Sequence, residues 1–216
     1  MSHYMEKAKD PWSSATHMIG AVSFLFGTLV LIFWGVIGRS GAELIASAAI
    51  FGLSLVALYT ASAVYHYINS TPKVTLILRK LDHSMIYVLI AGSYTPMLVC
   101  YYPAAQRTWM LAAIWGIALC GIAVKLLWFS APRWLYTAFY LLMGWFVLVD
   151  MSPLATMPTV AVALLAGGGI AYTLGGLIYG LKKPNLSPVF GFHELFHVFV
   201  LLGSLMHYLL VLLYVL

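Results

Sequence analysis

The sequence predicts an all-α integral membrane protein, a seven-transmembrane helix bundle that forms one domain over residues 1–216. Two observations lead to this fold class. Only 8% of the residues are charged and the mean hydropathy is +0.96, whereas soluble domains carry about 25% charged residues. Apolar runs recur along the chain, each close to the roughly 20 residues that a helix needs to cross the hydrocarbon core. This number of charges is too small to cover a water-facing surface. We therefore expect the bilayer to be the solvent.

Seven apolar segments follow a short polar stretch, residues 1–16. The fourth segment contains Lys125 near one end, where a long side chain can extend to the interface. The fifth is the shortest and ends at Asp150, and Pro153 and Pro158 mark the turn to the sixth. The connections leave no room for a soluble domain. The predicted spans are 17–38, 44–66, 83–102, 108–129, 134–149, 159–181 and 193–215.

The basic residues predict the orientation of these spans. The net charge is +5, but the charges stand in short connections, which indicates contact with lipid headgroups and no nucleic acid partner. Two of the eleven, Arg39 and Arg107, fall on one side, and nine fall on the side of the N-terminus. The positive-inside rule then predicts a cytoplasmic N-terminus and, after seven crossings, an external C-terminus. The nine are Lys7, Lys9, Lys73, Arg79, Lys80, Lys125, Arg133, Lys182 and Lys183.

Small residues and cysteines add two structural expectations. Gly176 and Gly180 form a small-xxx-small pair that suits close helix packing within the bundle, with a homo-oligomer contact as the alternative use. Cys100 and Cys120 are the only cysteines, and Cys120 lies well inside an apolar run. We therefore expect two buried thiols and no disulfide.

Polar residues converge near the cytoplasmic ends of three predicted spans. His66 ends the second span, Asp82 stands at the entrance of the third, and His193 and His197 occupy the first two turns of the seventh. The last two are four residues apart, so they share one helix face. Ionisable residues inside spans are costly and are functional candidates by default. Ser62 lies one turn deeper than His66, and its hydroxyl can serve the site or bond to its own backbone.

This group of side chains suits zinc. Imidazole nitrogen is a good zinc ligand, and three protein ligands with one open position are typical of catalytic sites. Asp82 can orient or accept a proton of a zinc-bound water from the second coordination shell. The sequence therefore predicts a Zn²⁺ site with His66, His193 and His197 as ligands.

The other histidines are weaker candidates. His17 is near the same membrane face but has no partner at helical spacing. His83 should point about 100° away from Asp82 around its helix, which makes it peripheral. His207 lies ten residues beyond His197, about 15 Å nearer the outer face.

The segment His193-Glu194-Leu195-Phe196-His197 also matches H-E-x-x-H, the motif of zinc metalloproteases. In a protease, Glu194 would be the general base, and His66 or Asp82 would be the third ligand. No second protease-like motif accompanies it, and the pair Ser62 and His66 would have no assigned purpose. An intramembrane protease is therefore the less favoured alternative.

These residues resemble those of the haemolysin III group, the bacterial branch of the progestin and adipoQ receptor family, which includes the adiponectin receptors. The resemblance covers nearly the whole chain, and it includes Thr16, His17 and Gly20 in the first span. The matching motifs, in order, are Ser62-Ala63-Val64-Tyr65-His66, Leu81-Asp82-His83-Ser84, Gly92-Ser93-Tyr94-Thr95-Pro96 and His193-Glu194-Leu195-Phe196-His197-Val198.

The resemblance implies seven helices with a cytoplasmic N-terminus and zinc on His66, His193 and His197. It also implies that Asp82 holds the zinc-bound water and that Ser62 supports the site. The wider superfamily includes alkaline ceramidases, which hydrolyse lipid amides, and its bacterial members are linked to membrane-lipid homeostasis and haemolysis. We therefore expect a multi-pass protein of the bacterial cytoplasmic (inner) membrane that hydrolyses a lipid amide or ester. A sensor or homeostasis protein with structural zinc and a pore-forming haemolysin are the alternatives.

Overall fold

A computed structural model describes residues 2–128, 130–187 and 189–216 of the chain. Met1, the first residue of the polar stretch, and Phe129, the predicted end of the fourth span, lie outside these ranges. The described residues form helices and connections, with no strand among them. The helices are α1 (Ser2–Lys7), α2 (Pro11–Ile37), α3 (Ala42–Tyr67), α4 (Pro72–Tyr101), α5 (Ala104–Leu127), α6 (Arg133–Gly144), α7 (Thr159–Leu181) and α8 (Phe192–Tyr214).

Six of these helices, α2, α3, α4, α5, α7 and α8, are long and apolar enough to cross a membrane. They coincide with six of the seven predicted spans. Two of them begin well before the apolar run does, because a proline at the first helical position starts the helix in polar sequence. Thus α2 begins at Pro11 and α4 at Pro72, where the Thr71 side chain accepts a hydrogen bond from the Val74 amide. Asp82 consequently lies about 15 Å inside α4, not at its entrance as the sequence predicted.

The fifth predicted span is a shorter element. It consists of α6, twelve residues long, and a 3₁₀ turn of four residues, Phe146–Val149. Together they rise about 26 Å, slightly less than the roughly 30 Å hydrocarbon core. At one end the Arg133 guanidinium lies over the ring of Phe192, where α8 begins; at the other, the Tyr102 hydroxyl donates to the Asp150 carbonyl. The segment therefore extends between opposite ends of the bundle.

The helices pack in two connected groups. In one, α3 lies between α2 and α4, with Phe51, Leu55 and Tyr59 of α3 fully buried. In the other, α7 packs along α8, which also contacts α2. The Tyr59 hydroxyl donates to Ser204 of α8 at 2.7 Å, and Tyr172 of α7 lies 2.8 Å from the same hydroxyl. Such interhelical hydrogen bonds favour one arrangement of helices in an apolar environment.

The outer surface of the bundle is apolar, as a bilayer requires. Phe26, Leu53 and Leu119 are each more than 60% exposed. Cys100 and Cys120 are both free, as predicted, but the expectation that both are buried is wrong, because Cys120 is on this outer surface.

Lys125 also differs from its prediction. Its side chain does not extend to the interface but is 3% exposed, and its ammonium lies 3.3 Å from the centre of the Tyr136 ring. The start of α6 lies beside the end of α5, which brings the Tyr136 ring to the Lys125 ammonium. The interaction is a cation–π contact that the linear sequence does not reveal.

The glycines of α7 permit its close packing. A Cβ atom on Gly176 would meet the Leu141 side chain of α6 at 3.0 Å, and one on Gly180 would meet Thr137 of α6 at 3.5 Å. The small-xxx-small pair therefore packs within the chain, as predicted, and does not itself support a homo-oligomer.

We expect Gly168→Ala to lower the free energy of unfolding by about 1–3 kcal/mol, because the new Cβ would overlap the His207 ring and lie 3.2 Å from the Gly203 carbonyl oxygen. Gly169→Ala is the matched control, since its Cβ would meet nothing within 4 Å. Reversible unfolding in mixed micelles measures both. Equal stability of the two variants would contradict the tight α7–α8 contact.

Candidate metal centre

Three histidines from two distant parts of the chain meet at one end of the bundle. His66 is in the last turn of α3, and His193 and His197 are in the first two turns of α8. One ring nitrogen of each lies within 4.8 Å of the others. The structure thus brings together the three residues that the sequence analysis selected, in a cluster that can bind a metal ion.

A carboxylate orients His66. The Nδ1 atom of His66 lies 2.9 Å from Asp10 Oδ2. An ionised carboxylate only accepts hydrogen bonds, so Nδ1 carries the proton and Nε2 has the lone pair. Burial raises the pKa of Asp10, but the hydrogen bond from His66 and the charge of Lys9 outweigh it and leave the pKa below its usual value. Asp10 therefore stays ionised and fixes the His66 tautomer.

A backbone carbonyl orients His197 in the same way. Its Nδ1 lies 3.2 Å from the Ser13 carbonyl oxygen, and the side chain is 2% exposed. A carbonyl oxygen cannot donate, so here too the proton is on Nδ1 and the lone pair is on Nε2. Histidine ligands of metals almost always donate their second N–H to a carboxylate or carbonyl in this manner.

The distance between two of the ring nitrogens is compatible with a shared metal ion of zinc's size. His66 Nε2 and His193 Nε2 are 3.2 Å apart. Two nitrogen ligands on a tetrahedral zinc, each about 2.05 Å from the ion, stand about 3.3 Å apart. Two imidazole nitrogens this close either share a proton in a hydrogen bond or bind one cation between them. The three histidines are suited to both arrangements.

Asp10 and Ser13 contact the histidine cluster, although the sequence did not indicate them. Both belong to the polar N-terminal segment. Asp10 occupies the N-cap position of α2, but its side chain accepts no hydrogen bond from the helix backbone, because its carboxylate is engaged with His66 and Lys9. The available signal was an acidic residue directly before Pro11, at the membrane face where His66 was expected.

Asp82 lines the same cavity as the three histidines but is not in the cluster of ligand atoms. It is 9% exposed, and its Oδ2 lies 3.1 Å from His83 Nδ1. The expectation that His83 points away and is peripheral is therefore wrong. Adjacent helical positions diverge at Cβ, but these two side chains turn toward each other along the cavity wall.

Ser62 and His17 are buried polar residues beside the cluster. The Ser62 hydroxyl is buried and has no hydrogen-bond partner among the described residues, so it does not bond to its own backbone. The His17 ring stacks on His197 with centroids 3.6 Å apart and planes 9° apart, and neither ring nitrogen has a hydrogen-bond partner in the described part of the chain. The stacking partner of His17 is therefore on α8 and not on its own helix, α2.

Glu194 and His207 have other structural roles. Glu194 Oε1 accepts a hydrogen bond from Ser13 Oγ at 2.7 Å, and Oε2 accepts one from the Gly191 amide at 2.9 Å. The carboxylate thus caps α8 and ties it to α2. His207 is 3.2 Å from the Leu165 carbonyl oxygen, deeper in the bundle, where the sequence placed it.

A cavity of about 960 Å³ extends from the cluster along the interior of the bundle. Its volume is at the upper end of the range of about 300–1,000 Å³ for small-molecule sites. At one end it is lined by the histidines, Asp82 and Ser62. At the other it reaches Tyr102 and Leu154, and its walls between are mostly apolar and aromatic.

Comparisons with known proteins show the family of this chain. A family profile described as haemolysin-III related matches residues 5–208. The chain belongs to the haemolysin III family. Hemolysin-3 of Bacillus cereus is 34% identical over 221 residues, which cover 100% of this chain and 96% of that protein. The Hemolysin-3 homolog of Bacillus subtilis (strain 168) is 35% identical over 203 residues, covering 94% of this chain and 92% of that protein.

A more distant relative is the monocyte to macrophage differentiation factor of Homo sapiens, 28% identical over 166 residues that cover 75% of this chain and 67% of that protein. The resemblance described from the sequence motifs is thereby confirmed. This haemolysin III protein is a multi-pass integral membrane protein with a three-histidine cluster inside its helix bundle.

We expect Asp10→Ala to weaken metal binding about 10–100-fold, because His66 loses the acceptor that fixes its tautomer and ring orientation. Competition between the purified protein and a chromogenic chelator, with zinc as the probe metal, measures the affinity. Glu43→Ala is the control, because Glu43 is an exposed carboxylate that pairs with Arg107 far from the cluster. Unchanged affinity in Asp10→Ala would show that Asp10 does not support the site.

Proposed function

We propose that this haemolysin III protein is a zinc-dependent hydrolase of lipid amide or ester bonds. The observation that carries the proposal is the pair of oxygen acceptors beside His66 Nδ1 and His197 Nδ1. Asp10 and the Ser13 carbonyl hold His66 and His197 with their Nε2 lone pairs available, next to His193 and at the polar end of a large apolar cavity. We assign His66, His193 and His197 as the metal ligands.

Zinc at this position would polarise the carbonyl of a substrate and activate water. The remaining steps belong to residues of the chain. Asp82 accepts the proton that the attacking water loses and returns it to the leaving nitrogen or oxygen. Its hydrogen bond to His83 orients the carboxylate. The Ser62 hydroxyl, with no partner among the described residues, is available to donate to the substrate carbonyl.

The cavity supports a lipid as the substrate. Its polar end adjoins the cluster, and apolar side chains such as Leu89, Met97 and Leu165 line the rest. An acyl chain along these walls would bring its carbonyl to the histidines and exclude water from the chain. The proposed role is membrane-lipid homeostasis in the bacterial cytoplasmic (inner) membrane.

Three alternatives have less support. Structural zinc sites are usually closed by four protein ligands, whereas this cluster has three, which favours catalysis over a sensor with structural zinc. A pore needs a polar path across the bilayer, but the cavity beyond the histidines is mostly apolar. A metalloprotease needs Glu194 as its base, and that carboxylate is bonded to Ser13 and Gly191.

We also propose that the α6 segment crosses the membrane, which gives seven spans, a cytoplasmic N-terminus and an external C-terminus. Its contacts support this topology, because Arg133 lies beside the start of α8 and Asp150 lies beside the end of α4. The charge distribution supports it independently, since nine of the eleven basic residues then face the cytoplasm.

Reporter fusions test this topology. A reporter after Lys183 should be cytoplasmic, and reporters after Asp150 and at the C-terminus should be external. If the α6 segment does not cross, all three readings invert, and a cytoplasmic C-terminus would contradict the seven-span proposal.

Two isosteric substitutions test the proposed chemistry. We expect Asp82→Asn to lower zinc-dependent turnover of a lipid amide about 10²–10⁴-fold, as removal of a general base does, and Glu194→Gln to retain most of it. Mass spectrometry of products from purified protein, with zinc content measured in parallel, distinguishes lost chemistry from lost metal. The reverse pattern, with Glu194 essential and Asp82 dispensable, would favour the protease.

A further inference from the structure

Three basic residues line the cavity next to the histidine cluster, and the proposed hydrolysis uses none of them. They are Arg79 of α4, Lys125 of α5 and Arg133 of α6. We call this group the basic end of the cavity. Arg79 is exposed and stands at the rim, whereas the other two are drawn inward.

Lys125 is the most constrained of the three. An ammonium group inside a membrane-spanning helix is costly, and long side chains near a helix end normally extend to the interface. The helix ends two residues later, at Leu127, yet Lys125 is 3% exposed and lies over the Tyr136 ring. The fold keeps this positive charge at the cavity wall instead of at the membrane surface.

Arg133 has a hydrogen-bond donor that is buried inside the protein. Its guanidinium lies 4.6 Å from the centre of the Tyr179 ring, a contact that holds the planar group in place. One terminal nitrogen, Nη1, is buried and has no hydrogen-bond partner among the described residues. A guanidinium fixed in this way can make paired hydrogen bonds to phosphate or carboxylate oxygens.

Each acidic residue of the cavity wall has a hydrogen-bond partner. Asp10 bonds to His66 and Glu194 bonds to Ser13, both on the side formed by α2 and α8. Asp82 bonds to His83. The basic residues of the wall are contributed by α4, α5 and α6, and the acidic residue whose charge acts on Lys125 is Asp82 of α4. With Arg79, Lys125 and Arg133 against Asp82, this part of the wall carries a net positive charge.

We propose that the basic end binds the anionic headgroup of an acyl amphiphile, a phosphate or a carboxylate, while the acyl chain occupies the apolar length of the cavity. As a statement about the substrate, this inference rests on the proposed function. As a statement about binding it is independent of turnover, so it can be tested without catalysis.

The test is equilibrium binding to the purified full-length protein in neutral-lipid nanodiscs, both zinc-loaded and metal-free. Three radiolabelled probes share one acyl chain: palmitoyl lysophosphatidate, N-palmitoylglycine and uncharged N-palmitoylethanolamine. We expect at least one anionic probe to bind about tenfold or more tightly than the neutral probe, a difference typical of charge-assisted hydrogen bonds. The better of the two identifies the headgroup as phosphate or carboxylate.

Variants assign that preference to the basic end. Lys125→Met and Arg133→Gln should each lower the affinity for the anionic probe about tenfold and leave the affinity for the neutral probe unchanged. Lys125→Arg keeps the positive charge and should keep the preference for the anionic probe. Arg107→Gln is the matched control, because Arg107 pairs with Glu43 at the other end of the bundle. The wild-type comparison of probes remains decisive where a variant fails to fold.

Equal affinity of the wild-type protein for the three probes would overturn the inference. So would a loss of affinity for the neutral probe in Lys125→Met and Arg133→Gln that equals the loss for the anionic probe. His197→Ala separates the two proposals, because it removes a proposed metal ligand and leaves the basic end intact. A charge preference that persists in His197→Ala supports the inference independently of the metal. If the zinc-loaded wild-type protein shows the same preference but hydrolyses no lipid, the result counts against the proposed function alone.

Discussion

The hydrogen bond between Asp10 and His66 is the interaction on which the arrangement of this site depends. A polar group inside a bilayer has no water to bond with, so its partner must come from the protein. Asp10 satisfies His66 from the first residue before α2, and Ser13, one turn later, satisfies both His197 and Glu194. The start of α2 thereby joins the end of α3 to the start of α8, the two elements that carry the histidine cluster.

The same requirement explains why the polar residues are collected at one end of the bundle. Burying a polar group without a partner costs several kcal/mol, and sharing partners within one network lowers the number of groups that must be satisfied separately. The exceptions among the described residues include the Ser62 hydroxyl and the His17 ring nitrogens. Both residues line the cavity beside the cluster, so a bound ligand there can reach the polar atoms that the fold does not satisfy.

The segment from His193 to His197 illustrates how far a short motif depends on its helix. In H-E-x-x-H the spacing of the histidines is sufficient to place both on one face. The direction of the glutamate is not determined by the spacing. Here Gly191 is the N-cap residue of α8 and stands only three residues earlier, so Glu194 is at the position that accepts the N-cap amide hydrogen bond. A helix that began earlier would leave this carboxylate available for chemistry.

Hydropathy and charge, which are properties of the chain itself, were sufficient to predict an all-α membrane protein and six of its spans, because a bilayer imposes one length and one polarity on every crossing. The depth and helical spacing of the polar residues were sufficient to select three histidines that the structure brings together. They did not reveal Asp10 or Ser13, the stacking of His17 on His197, or the burial of Lys125 against Tyr136. Each of these depends on which helices are neighbours, and pairing of side chains across helices leaves no periodic trace in the sequence. Only the tertiary structure therefore decided how the predicted histidines are held and which charges line the cavity beside them.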